Sequence, residues 1–196
     1  MGRERLSTMR EPPSSSYRLI ILKEKVHDCT NCIYSQHSNR KILERKVGIG
    51  RIQILFVGEA PGMTEYIQQK PFVGESGNLL ARLIEDAFPP GITYGVVNAI
   101  ACTPFTNESR SKLDTPPCKD SIKACRKVWL EQYIKCVRPE RLIALGNVAA
   151  ASLKAMKQQY THVLHPSAIL RDEKHQEYQE KRFILALQSV IGTLNA

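Results

Sequence analysis

The feature that most constrains this chain is the alternation of short, nearly continuous apolar runs with stretches of helical periodicity. RIQILFVG (51–58) has the β-branched character of a strand buried on both faces, and Gly58 ends it. SGNLLARLIEDAF (76–88) instead sets Leu79, Leu80, Leu83, Ile84 and Ala87 at helical spacing and stops at Pro89-Pro90-Gly91. The pattern repeats downstream. ITYGVVNAIAC (92–102) reads as a second strand, 119–136 as a helix broken by Arg138-Pro139, and RLIALG (141–146) as a third strand. A helix capped by Asn147 (147–157), a fourth strand (160–165) ending at Pro166, and a closing helix (172–189) complete the series. Strands alternating with helices join by right-handed crossovers into a parallel sheet covered on both faces. The expected fold class is therefore α/β, a three-layer α/β/α arrangement with a central four-stranded parallel sheet.

The rest of the chain sets limits around that core. Residues 1–16 are polar, basic and rich in Pro and Ser, with too little apolar surface to offset the entropy of ordering them, so a flexible basic arm is expected before a single domain over 17–196. The longest apolar runs, such as 19–22 and 54–57, are strand-sized and far short of the roughly 18–20 residues of a membrane span. The amino end holds no apolar stretch for a secretory signal, and Leu6 stands where myristoylation wants Ser or Thr. An intracellular, cytoplasmic monomer with no membrane association is the expectation. There the six cysteines, Cys29, Cys32, Cys102, Cys118, Cys125 and Cys136, fit metal ligation or buried thiols better than disulfides. Lys and Arg number 28 against 19 Asp and Glu, a net charge of +9 that favours a polyanionic partner. Arg40, Lys41, Arg45 and Lys46 cluster, while Arg110 and Lys112 lie in the long loop and Arg171 follows the fourth strand. Such side chains can neutralise phosphates without reading sequence.

Ligands of doubly covered sheets bind at the carboxyl ends of the strands. Three of the four strand ends carry polar chemistry, and they are expected to converge: Gly58-Glu59-Ala60-Pro61-Gly62, Asn98, and His165-Pro166-Ser167. GEAPGMTEYIQQKPFVGESGNLL (58–80) is similar to the first signature of the family-four uracil-DNA glycosylases, roughly G-E-A-P-G-x-x-E-D-x-x-G-x-P-F-V-G-x-S-G-x-L-L. VNAIACTP (97–104), RPERLIALGNVA (138–149) and HPSAILR (165–171) resemble later blocks of that family in the same order, so the resemblance spans 29–171. It implies a DNA N-glycosylase of base excision repair that hydrolyses the N-glycosidic bond of flipped-out uracil and leaves an abasic site.

The residues suit that chemistry. A flipped base must be held by its Watson–Crick edge against an aromatic face. Phe72 is the candidate platform, and Gly58, Ala60, Pro61 and Gly62 let backbone and base approach closely. Asn98 offers donor and acceptor together, which pairs with uracil O4 and N3–H and mismatches cytosine. His165 is the candidate donor at uracil O2, where negative charge develops on the leaving base. Glu59 and Glu65 are candidates for activating water or supporting a cationic sugar, and Ser167 and Arg171 complete the substrate-binding set. The first glycosylase family has Asp where this chain has Ala60, which implies different handling of the water.

Cys29-x-x-Cys32 needs two further ligands to close a thiolate site. The resemblance implies a 4Fe-4S cluster on Cys29, Cys32, Cys102 and, by the helix frame Pro117, Ser121, Ile122, Cys125, on Cys125. Cys118 is the alternative fourth ligand and zinc the alternative occupant; Cys136 reads as a small core residue. The chain departs from the family pattern at Tyr66, which replaces Asp, at Gln69, which replaces Gly, and across 99–117, where Asn107 and Arg110 echo an Asn and an Arg. Those departures keep a second reading open, a catalytically silent DNA-binding module of the same fold, accessory to replication or repair.

Overall fold

Side chains alternate across a strand, so a strand that is apolar at every position needs helices on both faces. The computed structural model, which describes residues 14–194, supplies them. In chain order the elements are α1 (Ser15–His27), α2 (Ile33–His37), β1 (Glu44–Val47), β2 (Ile54–Gly58), α3 (Met63–Gln68), α4 (Glu75–Ala87) and β3 (Tyr94–Asn98). They continue with α5 (Lys119–Cys125), a π-helical stretch Arg126–Leu130, α6 (Glu131–Val137), β4 (Arg141–Leu145), α7 (Gly146–Ala155), β5 (Thr161–Val163), α8 (Pro166–Arg171) and, after a 3-10 turn, α9 (Gln176–Gly192).

The sheet runs β1-β3-β2-β4-β5. The four expected strands are β2 to β5 and pair in parallel. A fifth strand was not expected: β1, with sequence ERKV, lies antiparallel on β3 from Glu44↔Val97 to Val47↔Tyr94, which makes the sheet five-stranded and mixed rather than four-stranded and parallel. The reason is position. An edge strand half open to water can be charged, so it carries no apolar run to reveal it.

Leu55, Val57, Val97, Leu142 and Ala144 point to one side, against α1, α6 and α7, where Trp129, Leu130 and Tyr133 fill the layer. Ile54, Phe56, Val96, Ile143 and Leu145 point to the other, against α4, α8 and α9. The expected three-layer arrangement is present. The chain leaves central β2, builds β3 on one side, then returns to build β4 on the other, so the crevice of the switch point lies above Gly58, Asn98 and Leu145.

Several boundaries differ from those read in the sequence. The arm expected over 1–16 falls mostly outside the described residues, and of its last three residues Ser14 caps α1, accepting from Tyr17 N–H at 3.3 Å, while Ser15 and Ser16 open the helix. Strand pairing of β3 ends at Asn98, but Ala99 and Ile100 still donate to the Gly58 and Glu59 carbonyls at 2.9 and 3.1 Å, so the buried tail runs on to Cys102. The 119–136 helix holds a π turn, which brings buried Trp129 under the end of β3. Its Nε1–H donates to the Asn98 carbonyl at 3.2 Å. Among the described residues no helix is long and apolar enough to cross a membrane.

Trp129→Phe removes that donor and leaves a buried carbonyl unpaired, a change that costs about 1–3 kcal/mol. The expected outcome is a fall in melting temperature of roughly 2–12 °C for a domain of this size, measured by differential scanning calorimetry; an unchanged melt would mean that the bond contributes nothing.

Candidate active site

Glu65 organises the entrance to the crevice. It sits in the first turn of α3 and is 9% exposed. One carboxylate oxygen accepts from Val73 N–H at 3.0 Å and Gly74 N–H at 2.8 Å, and the other accepts from Gly62 N–H at 3.1 Å. The turn after β2 and the PFVG loop are thus tied to one side chain. Between them the backbone is left-handed at Gln69 and Phe72, both at φ 55°. For residues other than Gly such a conformation costs of order 1–3 kcal/mol and persists only where the surroundings fix it. Gln69, where the resembled family has Gly, does adopt the conformation that favours glycine.

The strained loop lays the Phe72 ring over Gly58. A Cβ at residue 58 would lie 2.6 Å from Phe72 Cζ and 2.5 Å from Asn98 Oδ1, so only glycine leaves room for the ring and the amide together. Asn98 is 3% exposed, and among the described residues its carboxamide has no hydrogen-bond partner, which leaves donor and acceptor free. Both residues line a cavity of about 510 Å³ with Glu59, Glu65, His165 and Arg171. Ala60, Pro61, Gly62 and Ser167 line it too, and Gly58 lies beneath it. The structure therefore brings together every candidate substrate-contacting residue read from the sequence. The long loop after β3 adds Pro104, Leu113, Thr115 and Pro116 as a wall, residues that carry no chemistry a sequence pattern could flag.

The two carboxylates differ in environment. Burial raises the pKa of Glu59, an effect opposed by the Arg171 charge, and no hydrogen bond occupies its side chain among the described residues. Glu65 is engaged by three backbone donors. Glu59 is the carboxylate open to a ligand.

His165 ends the segment after β5 and caps α8. Its Nδ1 accepts from Ser167 N–H at 3.2 Å and lies 2.8 Å from Ser167 Oγ. An Nδ1 that accepts leaves the neutral ring's proton on Nε2, which makes that nitrogen the available donor. Burial lowers the pKa of His165 to about 4, with Arg171 acting in the same direction and Glu65 against it.

A second cluster lies beyond Asn98. Cys29 and Cys32 flank the turn between α1 and α2, Cys102 ends the tail of β3, and Cys125 ends α5; all four line one small cavity with Lys41 and Trp129. Ala101 N–H donates to Cys125 Sγ at 3.3 Å. Burial pushes the Cys102 thiol up to about 12, Lys41 opposing it, and burial also raises Cys125. Cys118 does not line this cavity; it precedes α5, its sulfur 3.1 Å from Ser121 Oγ and its N–H donating to Tyr34 Oη at 2.6 Å. Cys136 packs against the α1/α6 side of the core. Among the described residues no three His, Cys, Asp or Glu side chains are placed to hold a single metal ion. The donor set fits a group wider than one ion: four thiols around one cavity, with a cation and a backbone N–H turned toward the sulfur.

A family model described as the uracil DNA glycosylase superfamily matches residues 46–188. The chain is 33% identical over 143 residues to the type-4 uracil-DNA glycosylase of Saccharolobus solfataricus, covering 69% of this chain and 58% of that protein. It is 31% identical over 135 residues to the protein of the same name from Pyrobaculum aerophilum, covering 67% and 62%. To that of Thermotoga maritima it is 33% identical over 131 residues, covering 66% and 62%. The matched region thus spans about three fifths of the length of these relatives.

The state of His165 has a measurable sign. A folded pKa of about 4 against roughly 6.5 unfolded means that the unfolded chain binds the proton first. Stability from this group is complete above pH 6.5 and is lost as pH falls toward 4, about 3 kcal/mol over that window. The expected NMR titration shows the His165 ring neutral through pH 5; a midpoint near 6.5 would contradict the burial described.

Proposed function

The chain belongs to the uracil DNA glycosylase superfamily, and from that premise we propose that it is a uracil-DNA glycosylase, an intracellular monomer that hydrolyses the N-glycosidic bond of uracil flipped out of DNA. The observation that carries the reading is one cavity lined by an aromatic ring, a carboxamide without an intramolecular partner, and a neutral imidazole. Phe72 stacks on the flipped base, a role that its contact with Gly58 supports. Asn98 pairs with uracil O4 and N3–H, which rejects cytosine at the same edge. As the bond from C1′ to N1 breaks, its electron pair passes to the base, and His165 Nε2–H stabilises the anion at O2. The low pKa keeps the ring neutral, and a neutral imidazole N–H is too weak an acid to give up its proton, so His165 acts as a hydrogen-bond donor to the developing anion. Glu59 orients the water that adds to C1′ and supports the cationic sugar, and the water's proton is lost to solvent. Glu65 acts as a positioning residue through its three backbone bonds. Among the described residues no lysine lines the cavity to form a Schiff base, so the product of this reading is an abasic site without strand scission.

Cys29, Cys32, Cys102 and Cys125 would hold the 4Fe-4S cluster of this reading, with zinc as the alternative occupant. Bound there, the cluster supplies cross-links between the α1–α2 turn, the tail of β3 and α5, not chemistry at the base. Those cross-links support the segment from which Asn98 projects.

Incubation of the purified chain with a labelled uracil-containing oligonucleotide, followed by alkaline cleavage, is expected to give product. His165→Ala and Asn98→Ala are each expected to lower single-turnover release by about 10²-fold or more. A folded chain that binds DNA and releases nothing would instead be the silent binding module that Tyr66 and Gln69 allow. Broad visible absorbance is expected to disappear in Cys125→Ala and persist in Cys118→Ala; the reverse result would reassign the fourth ligand, and a colourless chain with one equivalent of zinc would remove the cluster.

A further inference from the structure

Tyr66 occupies an unusual setting beside the pocket. The Arg40 guanidinium lies 5.1 Å and the Arg110 guanidinium 5.7 Å from the centre of its ring. The ring stands edge-on to buried Phe105, centroids 4.9 Å apart, and its hydroxyl donates to Asn39 Oδ1 at 2.8 Å. Phe105 bridges to Leu113, which with Pro104 lines the cavity wall. The three side chains therefore stand just outside the wall of the base pocket.

Both cations are held by backbone carbonyls. Arg40 Nη1 donates to Tyr66 O at 3.0 Å and Ile67 O at 3.4 Å, and Arg110 Nε donates to His37 O at 2.7 Å. Among the described residues neither forms an ion pair, and Arg110 has no partner for either terminal nitrogen. Two like charges gathered on one ring repel each other, and the aromatic face offsets only part of that. An anion from outside would complete the arrangement. Free guanidinium edges match the paired non-bridging oxygens of a phosphodiester.

We propose that Arg40, Tyr66 and Arg110 form a subsite for the sugar-phosphate backbone of the nucleic acid strand that delivers its base to the pocket. The proposal rests on the glycosylase reading, because a pocket that accepts one nucleotide must have the flanking phosphates at its rim. Tyr66 acts as the spacer that holds both cations in place without neutralising them. The subsite carries no sequence information and contributes through charge.

Binding of the full chain to a labelled, uracil-free duplex, measured by anisotropy between about 50 and 200 mM salt, tests this. Arg40→Gln and Arg110→Gln are each expected to flatten the slope of log affinity against log salt by about 0.9. Tyr66→Asp, which sets a carboxylate between the cations, is expected to flatten it by roughly the sum of both. Arg110→Lys keeps the charge and is expected to keep the slope; a loss as large as in Arg110→Gln would make the stack structural and overturn the subsite. Gln variants that melt like wild type with unchanged slopes would overturn it too. Should Arg110→Gln unfold, Arg40→Gln gives the same readout. Uracil release measured in parallel separates the two readings. Release with unchanged slopes sinks the subsite alone, and flattened slopes without release from wild type sink the glycosylase reading while the subsite stands.

Discussion

The site depends on one carboxylate. Glu65 accepts three backbone N–H groups from two loops that are distant from each other in the local chain, Gly62 on one side and Val73 and Gly74 on the other. Bonds to an ionised acceptor are roughly twice as strong as neutral ones, which is enough to hold Phe72 in a left-handed conformation that its side chain disfavours. Without that clamp the ring has no reason to lie over Gly58, and the cavity has no floor. A carboxylate in a signature motif invites a role in bond breaking; this one ties two loops together.

Much of the fold was legible because burial on two faces leaves a plain trace. β2 and β4 are apolar at nearly every position, and α4 sets its leucines at the spacing that faces a sheet. What escaped lacks that trace. β1 is a charged edge strand, and LIIL in α1 is a run that reads equally as a strand until Ser14 is seen to cap a helix. α3 and α8 are six residues each, too short to show a period, and lie inside the signature-like blocks 58–80 and 165–171. The π turn at 126–130 has no local signature at all.

The site divides the same way. That Phe72, Asn98 and His165 converge on one cavity was legible, because they stand at or after strand ends that share one edge of the sheet. The bonds of Glu65 were not, since nothing in a sequence distinguishes a carboxylate that meets substrate from one that meets backbone. Nor was the link through Trp129, which touches the cysteine cavity and bonds the backbone of Asn98. One side chain thus belongs to the surroundings of both sites, and the geometry of Asn98 is not independent of the thiol cluster.

The borders of the sheet carry a consequence for how the molecule behaves in company. On one border β1 presents Arg45 and Lys46 to water, and on the other β5 is only three residues long. Neither offers the neutral, extended template on which a stranger's backbone could zip up. Edge-to-edge pairing between copies is thereby disfavoured, and a net charge of +9 adds mutual repulsion.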